Sequence, residues 1–136
     1  MTITFCTQCW SEAPKGAAVC PHCGDDIVAR ANRPDYTQKL IAALEHAEPT
    51  VAVRAAWILG ERRESKAVVG LCRLVRESTD VLVVESALES LAKIGDRRAA
   101  MTVRWAVNHV NPLIRSAAAR AVALEVYRKA PHAHEV

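Results

Sequence analysis

Pro49-Thr-Val-Ala-Val-Arg-Ala-Ala-Trp-Ile-Leu-Gly60 is the stretch whose reading decides the fold. Val51, Ala55 and Leu59 stand in it at i, i+4 and i+8, which is one apolar stripe of a helix. The alanine in the middle lets a neighbouring helix come close. The same triplet returns as Val83, Ala87 and Leu91, then as Ile114, Ala118 and Val122. Ahead of each lies another stripe: Leu40 and Leu44, then Leu71 and Val75, then Val103 and Val107, at spacings of 31 and 32 residues. Each period therefore carries two helices, and three such pairs can stack so that every pair buries its neighbour's apolar face.

The punctuation follows the same period. Glu48-Pro49, Asp80-Val81 and Asn111-Pro112 precede the second helices; Asp and Asn are good N-caps, Pro suits the first helical position, and Glu48 is the weak cap of the three. Gly60 and Gly95 are placed to end the first two second helices in a left-handed conformation. Pro34 biases Arg33 away from helical geometry, so residues 24–34 read as a connector. Asp35 with Gln38 then offers a capping box to the first helix. The expected helices are 37–47, 50–59, 66–77, 81–94, 98–109 and 112–129. The fold class is all-α, a short α-solenoid of three helical pairs over residues 35–130 behind a small cysteine-bearing unit at 1–30.

Composition agrees. The 136 residues are about one domain's worth, 51% apolar and 24% charged, with 24 alanines against six aromatics, a balance suited to close-packed helices. The longest aliphatic run, Val81-Leu82-Val83-Val84, is far short of the ~20 residues a membrane span needs, so no membrane partner is expected. The start, Met-Thr-Ile-Thr-Phe-Cys, has no basic and apolar leader, which points to a reducing cytoplasm where five cysteines would not form disulfides.

Four of those cysteines carry the strongest chemical signal. Cys6-x2-Cys9 and, ten residues on, Cys20-x2-Cys23 are two tight knuckles, each able to aim a pair of sulfurs at one point; together they supply four tetrahedral thiolates for one structural Zn2+ per chain. The segment resembles a zinc ribbon: Cys20-Pro-His-Cys-Gly24 has the usual knuckle form, with Gly24 free to take positive φ, whereas the first knuckle has Trp10 where glycine is common. A thioredoxin-type redox pair is the rival, but it needs the motif at a helix start after a strand, and no such element precedes Cys6. His22, between two ligands, is expected to face solvent. Four thiolates close the coordination sphere, so the metal would hold the unit together without catalysing a reaction; so small a unit needs the metal to fold.

Other residues offer less. Cys72, beside Leu71, reads as a small buried hydrophobe, and His132 and His134 as part of a frayed tail. Trp57 and Trp105 lie on the helical stripes and are expected to pack in the core or between repeats. Glu85 and Glu89 share a helical face, an ordinary arrangement on solvated helix surface. Residues 1–30 hold two basic and three acidic side chains, net −1, which leaves 16 basic against 12 acidic, net +4, for the rest. Arg62-Arg63, Arg97-Arg98 and Arg128-Lys129 all follow second helices. They complement the helix dipoles there or, as the alternative, form a phosphate-binding edge, which Glu61 and Glu64 dilute.

The phrases Pro49–Gly60, Ala87-Leu-Glu-Ser-Leu-Ala-Lys-Ile-Gly-Asp96 and Asn111-Pro-Leu-Ile-Arg-Ser-Ala-Ala-Ala-Arg120 resemble HEAT repeats, within that family the short repeats of phycobilin-lyase-like proteins, over about residues 36–129. The family's Val-Arg pair is in register only at Ile114-Arg115, so no functional role carries over to the arginines. The resemblance implies a curved array whose second helices line a concave, macromolecule-binding side. The expected function is a non-enzymatic adaptor for a protein partner, with the ribbon as a cap or second docking module. The alternative is a nucleic-acid-associated protein that binds weakly through ribbon and basic edge. HEAT-like DNA glycosylases and phycobilin lyases make a third, enzymatic option, set aside because three repeats with no recognisable acid/base pair are few for an enclosed pocket, and no small-molecule substrate is identified.

Overall fold

The computed structural model describes residues 3–123. Two short strands, β1 (Ile3–Phe5) and β2 (Glu12–Pro14), pair antiparallel with Thr4 opposite Ala13, and a short helix, α1 (Ile27–Ala31), follows. A strand thus does precede Cys6, contrary to the sequence reading, but it leads into a turn and not into the helix a thioredoxin-type pair needs. Then come three helical pairs: α2 (Tyr36–Ala43) with α3 (Pro49–Glu61), α4 (Val68–Glu77) with α5 (Val81–Ile94), and α6 (Ala100–Ala106) with α7 (Pro112–Val122). Single 3-10 turns at Ser65–Ala67 and Arg97–Ala99 lead into α4 and α6. The fold is the expected all-α array of helical pairs. The proposed end of the last helix, with Arg128, Lys129, His132 and His134, lies outside the described residues.

The six stripes became the core, with Val107 and Val122 only partly buried. Leu40, Leu59, Leu71, Val75, Ala87, Leu91, Val103 and Ala118 are all essentially sealed from solvent. The second helices pack on one another in a row, α3 on α5 on α7, more closely than the first helices do. Small residues permit this. A Cβ on Gly60 would meet the Ser90 Cα at 2.9 Å, and the Ser90 hydroxyl donates to the Ala56 carbonyl at 2.5 Å. Ser86 makes the same kind of bond to the Val53 carbonyl at 3.2 Å.

Gly60 thus corrects one expectation. It lies inside α3, where a Cβ would collide with Ser90 of α5, and the left-handed residue after that helix is Arg63, at φ 51°. Gly95 does end α5 in the left-handed conformation, φ 69°. Asp80 and Asn111 cap their helices through side-chain oxygens, and Glu48 makes no such bond. A further periodic device precedes each cap: His46 Nδ1, Ser78 Oγ and His109 Nδ1 accept the backbone N–H of Glu48, Asp80 and Asn111 at 3.0, 3.2 and 3.0 Å. The capping box at Asp35 does not form; its carboxylate pairs with Lys39 at 3.4 Å instead. The stretch read as a connector contains α1, because Asp26 accepts the Ala29 N–H at 2.9 Å and starts a turn there.

The two helical tryptophans part company. Trp57 is half-buried at the join with the amino-terminal segment, its ring edge-on to Phe5 at 5.3 Å. Trp105 is instead an exposed residue, 43% accessible, flanked by His109 and by the Arg76 guanidinium 5.2 Å from its ring centre. Its stripe position is an outer one, so Val103 and Ala106 face the core in its place. Cys72 is half-buried rather than sealed, and desolvation pushes its thiol up from its ordinary value.

Candidate metal centre and adjoining groove

Two backbone loops of the same form hold the four cysteines. In the first, the Cys6 N–H donates to the Ser11 carbonyl at 3.0 Å and the Trp10 N–H to the Cys6 carbonyl at 2.6 Å. In the second, the Cys20 N–H donates to the Asp25 carbonyl and the Gly24 N–H to the Cys20 carbonyl, both at 2.9 Å. The fifth residue of each loop is left-handed: Gly24 at φ 76°, where glycine has no Cβ to strain, and Trp10 at φ 63°, where a side chain costs roughly 1–2 kcal/mol. Trp10 therefore occupies the glycine position in geometry as well as in sequence.

The loops bring Cys6, Cys9, Cys20 and Cys23 together, with all four sulfurs within 4.8 Å of one another. Cys6 Sγ lies 3.6 Å from Cys23 Sγ, and Cys9 Sγ 3.7 Å from Cys20 Sγ. Four sulfurs each about 2.3 Å from a central ion stand ~3.8 Å apart at the corners of a tetrahedron, so the set fits a tetrathiolate metal site. The spacing is far beyond the ~2.05 Å of a disulfide. Cys6 and Cys20 are buried, Cys9 and Cys23 exposed, and His22 is exposed as expected, its backbone N–H directed at Cys20 Sγ at 3.4 Å.

The thiols of Cys6, Cys9 and Cys23 titrate against their neighbours. The Ser11 hydroxyl and backbone N–H draw the Cys9 thiol down to about 6. At Cys23 the Asp25 N–H pulls the same way, but desolvation and the other three cysteines prevail and push its thiol up to about 12. Desolvation also raises Cys6. A divalent cation would offset the repulsion among four thiolates and displace their protons. Outside the sulfurs, Arg30 grips Asp25 through Nε at 2.6 Å and Nη2 at 2.9 Å, which ties α1 to the second loop.

The first loop is tied to the repeats. Arg54 on α3 donates through Nη1 to the Trp10 carbonyl, and its guanidinium lies 4.8 Å from the centre of the Phe5 ring. Phe5, Trp10 and Ala31 pack against the repeat core, and Leu40, the residue left without a preceding repeat, is 1% exposed. Ile41 finds its cover on the other side, near Gly70 of α4. Between β1, α3 and α5 a groove of about 410 Å³ remains open, lined by Phe5, Val53, Trp57, Leu82, Glu85 and Glu89 among others.

The family model for HEAT repeats matches residues 37–123. This chain belongs to the HEAT repeat family. The match covers the three helical pairs and starts beyond the four cysteines. No curated protein matches the chain. HEAT arrays commonly serve as protein-interaction scaffolds, and no helix among the described residues is long and apolar enough to cross a membrane.

Among the described residues of the basic edge of this HEAT array, Arg62 and Arg98 are engaged within the chain. Arg98 forks onto Asp96, with Nη2 at 2.8 Å from Oδ2, and donates to the Ser65 carbonyl of the preceding turn at 2.9 Å. The Arg62 guanidinium lies 5.0 Å from the Tyr36 ring centre. Sequence reasoning missed Arg54, whose partner is 44 residues away. Trp10 had a readable signal, since it follows Cys6 by the same four residues as Gly24 follows Cys20.

Proposed function

We propose that this HEAT repeat protein is a non-enzymatic adaptor that holds a protein partner on the exposed face of its second helices. Residues 1–30 form a zinc ribbon that caps the repeat domain of residues 35–130. One structural zinc per chain is bound by Cys6, Cys9, Cys20 and Cys23, in a reducing cytoplasm where these sulfurs are not oxidised to disulfides. Zinc suits a compact four-sulfur set because it accepts tetrahedral thiolate ligation without a redox change. Four thiolates leave no open coordination position, which favours a structural role. The observation that carries the reading is the seam itself: Arg54 and Trp57 on α3 engage Trp10 and Phe5, so the ribbon builds one side of a surface whose floor is HEAT helices.

The alternative, a nucleic-acid-associated protein using the ribbon and the basic edge, has less support, because Arg62 and Arg98 already hold partners within the chain. A pull-down with the full-length protein at two salt concentrations, with and without nuclease, separates the two. The adaptor retains its partner after nuclease and when Arg62, Arg63, Arg97 and Arg98 are changed to Ala. Tight binding to generic DNA or RNA, steeply salt-dependent with a log–log slope of about −0.9 per phosphate contact and abolished by those changes, would establish the alternative instead.

A further inference from the structure

The geometry points to a specific occupant for the groove between β1, α3 and α5: an amphipathic helix of the protein partner, carrying aliphatic side chains and two lysines or arginines one turn apart. This rests on the adaptor reading and adds the chemistry of the partner. Equivalent places on the second helices show why this repeat differs from its neighbours. Thr50, Leu82 and Leu113 form one row; Val53, Glu85 and Ser116 the next; Trp57, Glu89 and Arg120 a third. Only α5 contributes carboxylates to these rows, and it sets them beside an aliphatic patch in which Leu82 is 65% exposed.

Charge argues for a cationic partner. The whole chain is net +3, yet the groove lining holds two carboxylates against one guanidinium, and the nearby Lys93 ammonium, 5.6 Å from the Trp57 ring centre, is paired with Glu61 at 2.7 Å. That guanidinium, Arg54, is occupied with the Trp10 carbonyl and the Phe5 ring. Glu89 has Arg120 at 3.9 Å, a loose pair whose side chains are 56% and 60% exposed. Glu85 and Glu89 are four residues apart, about 6 Å along the helix axis, a spacing matched by cations at i and i+4 of a helix laid alongside. Phe5, Val53, Trp57 and Leu82 offer the apolar area that supplies affinity, and the two carboxylates set register and select sign of charge. Paired carboxylates that read as plain solvated surface in the sequence thus gain a role from the aromatic wall facing them.

The test uses the full-length protein loaded with zinc and two synthetic helical peptides of about 18 residues. Both carry the same leucine stripe, flanked by lysines in one and glutamates in the other, and binding is followed by fluorescence anisotropy at about 0.15 M salt. The lysine peptide is expected to bind at least ~10-fold tighter than the glutamate peptide. The double change Glu85→Gln with Glu89→Gln should bring the two to within about threefold. Leu82→Ser, an exposed change that circular dichroism should show to be folded, should weaken both. Equal binding of the two peptides, no binding of either, or a ratio unmoved by the glutamine changes would overturn the inference. The adaptor reading stands or falls separately, on whether the pull-down retains a nuclease-resistant protein.

Discussion

At the residue scale, three glycines show how position decides cost. Gly60 faces backbone, with Ser90 Cα 2.9 Å from where a Cβ would sit, whereas a Cβ on Gly70 would meet the Leu44 Cδ1 at 3.2 Å, the far end of a side chain. Gly60→Ala is therefore expected to cost about 1–3 kcal/mol by chemical denaturation. Gly70→Ala should cost clearly less, because Leu44 can yield and alanine favours the helix. Equal losses would mean that the α3–α5 contact is softer than its geometry. Gly95 has open space but φ 69°, so its substitution is governed by backbone strain alone. Trp10 accepts that same strain, and the compensation is visible: its carbonyl is held by Arg54 and its ring packs against the repeat core.

At the element scale, the caps and turns punctuate the array. Asp80 Oδ1 accepts the N–H groups of both Leu82 and Val83, at 2.9 and 3.2 Å, so Asp80→Ala should cost about 1 kcal/mol. Glu48→Asp, which supplies a capping oxygen where none now bonds, should stabilise α3 by a few tenths to about 1 kcal/mol, measured as a rise in the denaturation midpoint. Asp96 adds a pH dependence. The Arg98 side chain and then its backbone N–H hold the Asp96 carboxyl below its ordinary value. The folded chain thus binds that proton less readily than the unfolded chain. The stabilisation is complete above a pH of about 4 and is lost as pH falls through the lowered value. Asp96→Asn keeps a capping side chain and loses only the charge. Its Tm deficit against the parent should be present at neutral pH and shrink as pH falls toward about 3. A deficit that stays constant across this range would assign the effect to cap geometry.

At the scale of the whole molecule, the cysteine-bearing segment meets the repeats at residues central to the first repeat. Leu40 is sealed, and Tyr36 is 8% exposed. A chain beginning at Asp35 would lose the cover given by Phe5, Trp10 and Ala31. Such a chain should unfold less cooperatively and at lower temperature than the full chain, by about 4 °C per kcal/mol lost. Metal removal should act in the same direction. Freshly purified, reduced protein is expected to contain one zinc per chain; Cys20→Ser should abolish it while retaining most helicity, and chelation should lower the Tm of the helical transition as well as unfolding the loops. A helical transition indifferent to chelator would show that the seam contributes nothing to the array. Arg54→Ala is the intermediate case, expected to leave the sulfurs in place yet speed zinc loss to chelator.

The array and the metal candidate were legible because both are written in local spacing. A stripe at i, i+4, i+8 repeated every 31 or 32 residues needs no tertiary information, and neither do two Cys-x-x-Cys pairs, since helix periodicity and knuckle reach are properties of short chain segments. Helix ends were less legible. Gly60 looked like a terminator and became a packing contact, because only the approach of α5 shows that a missing Cβ is needed there. Trp105 lay on a stripe and stayed outside, because the stripe marks a face and its edges are decided by what packs against them. The seam between Trp10, Phe5, Arg54 and Trp57 joins residues more than 40 places apart and carries no periodic mark. Sequence alone determined what could pair within a turn or a loop; the tertiary structure decided what those elements meet, because burial and charge environment are set by neighbours that chain order does not name.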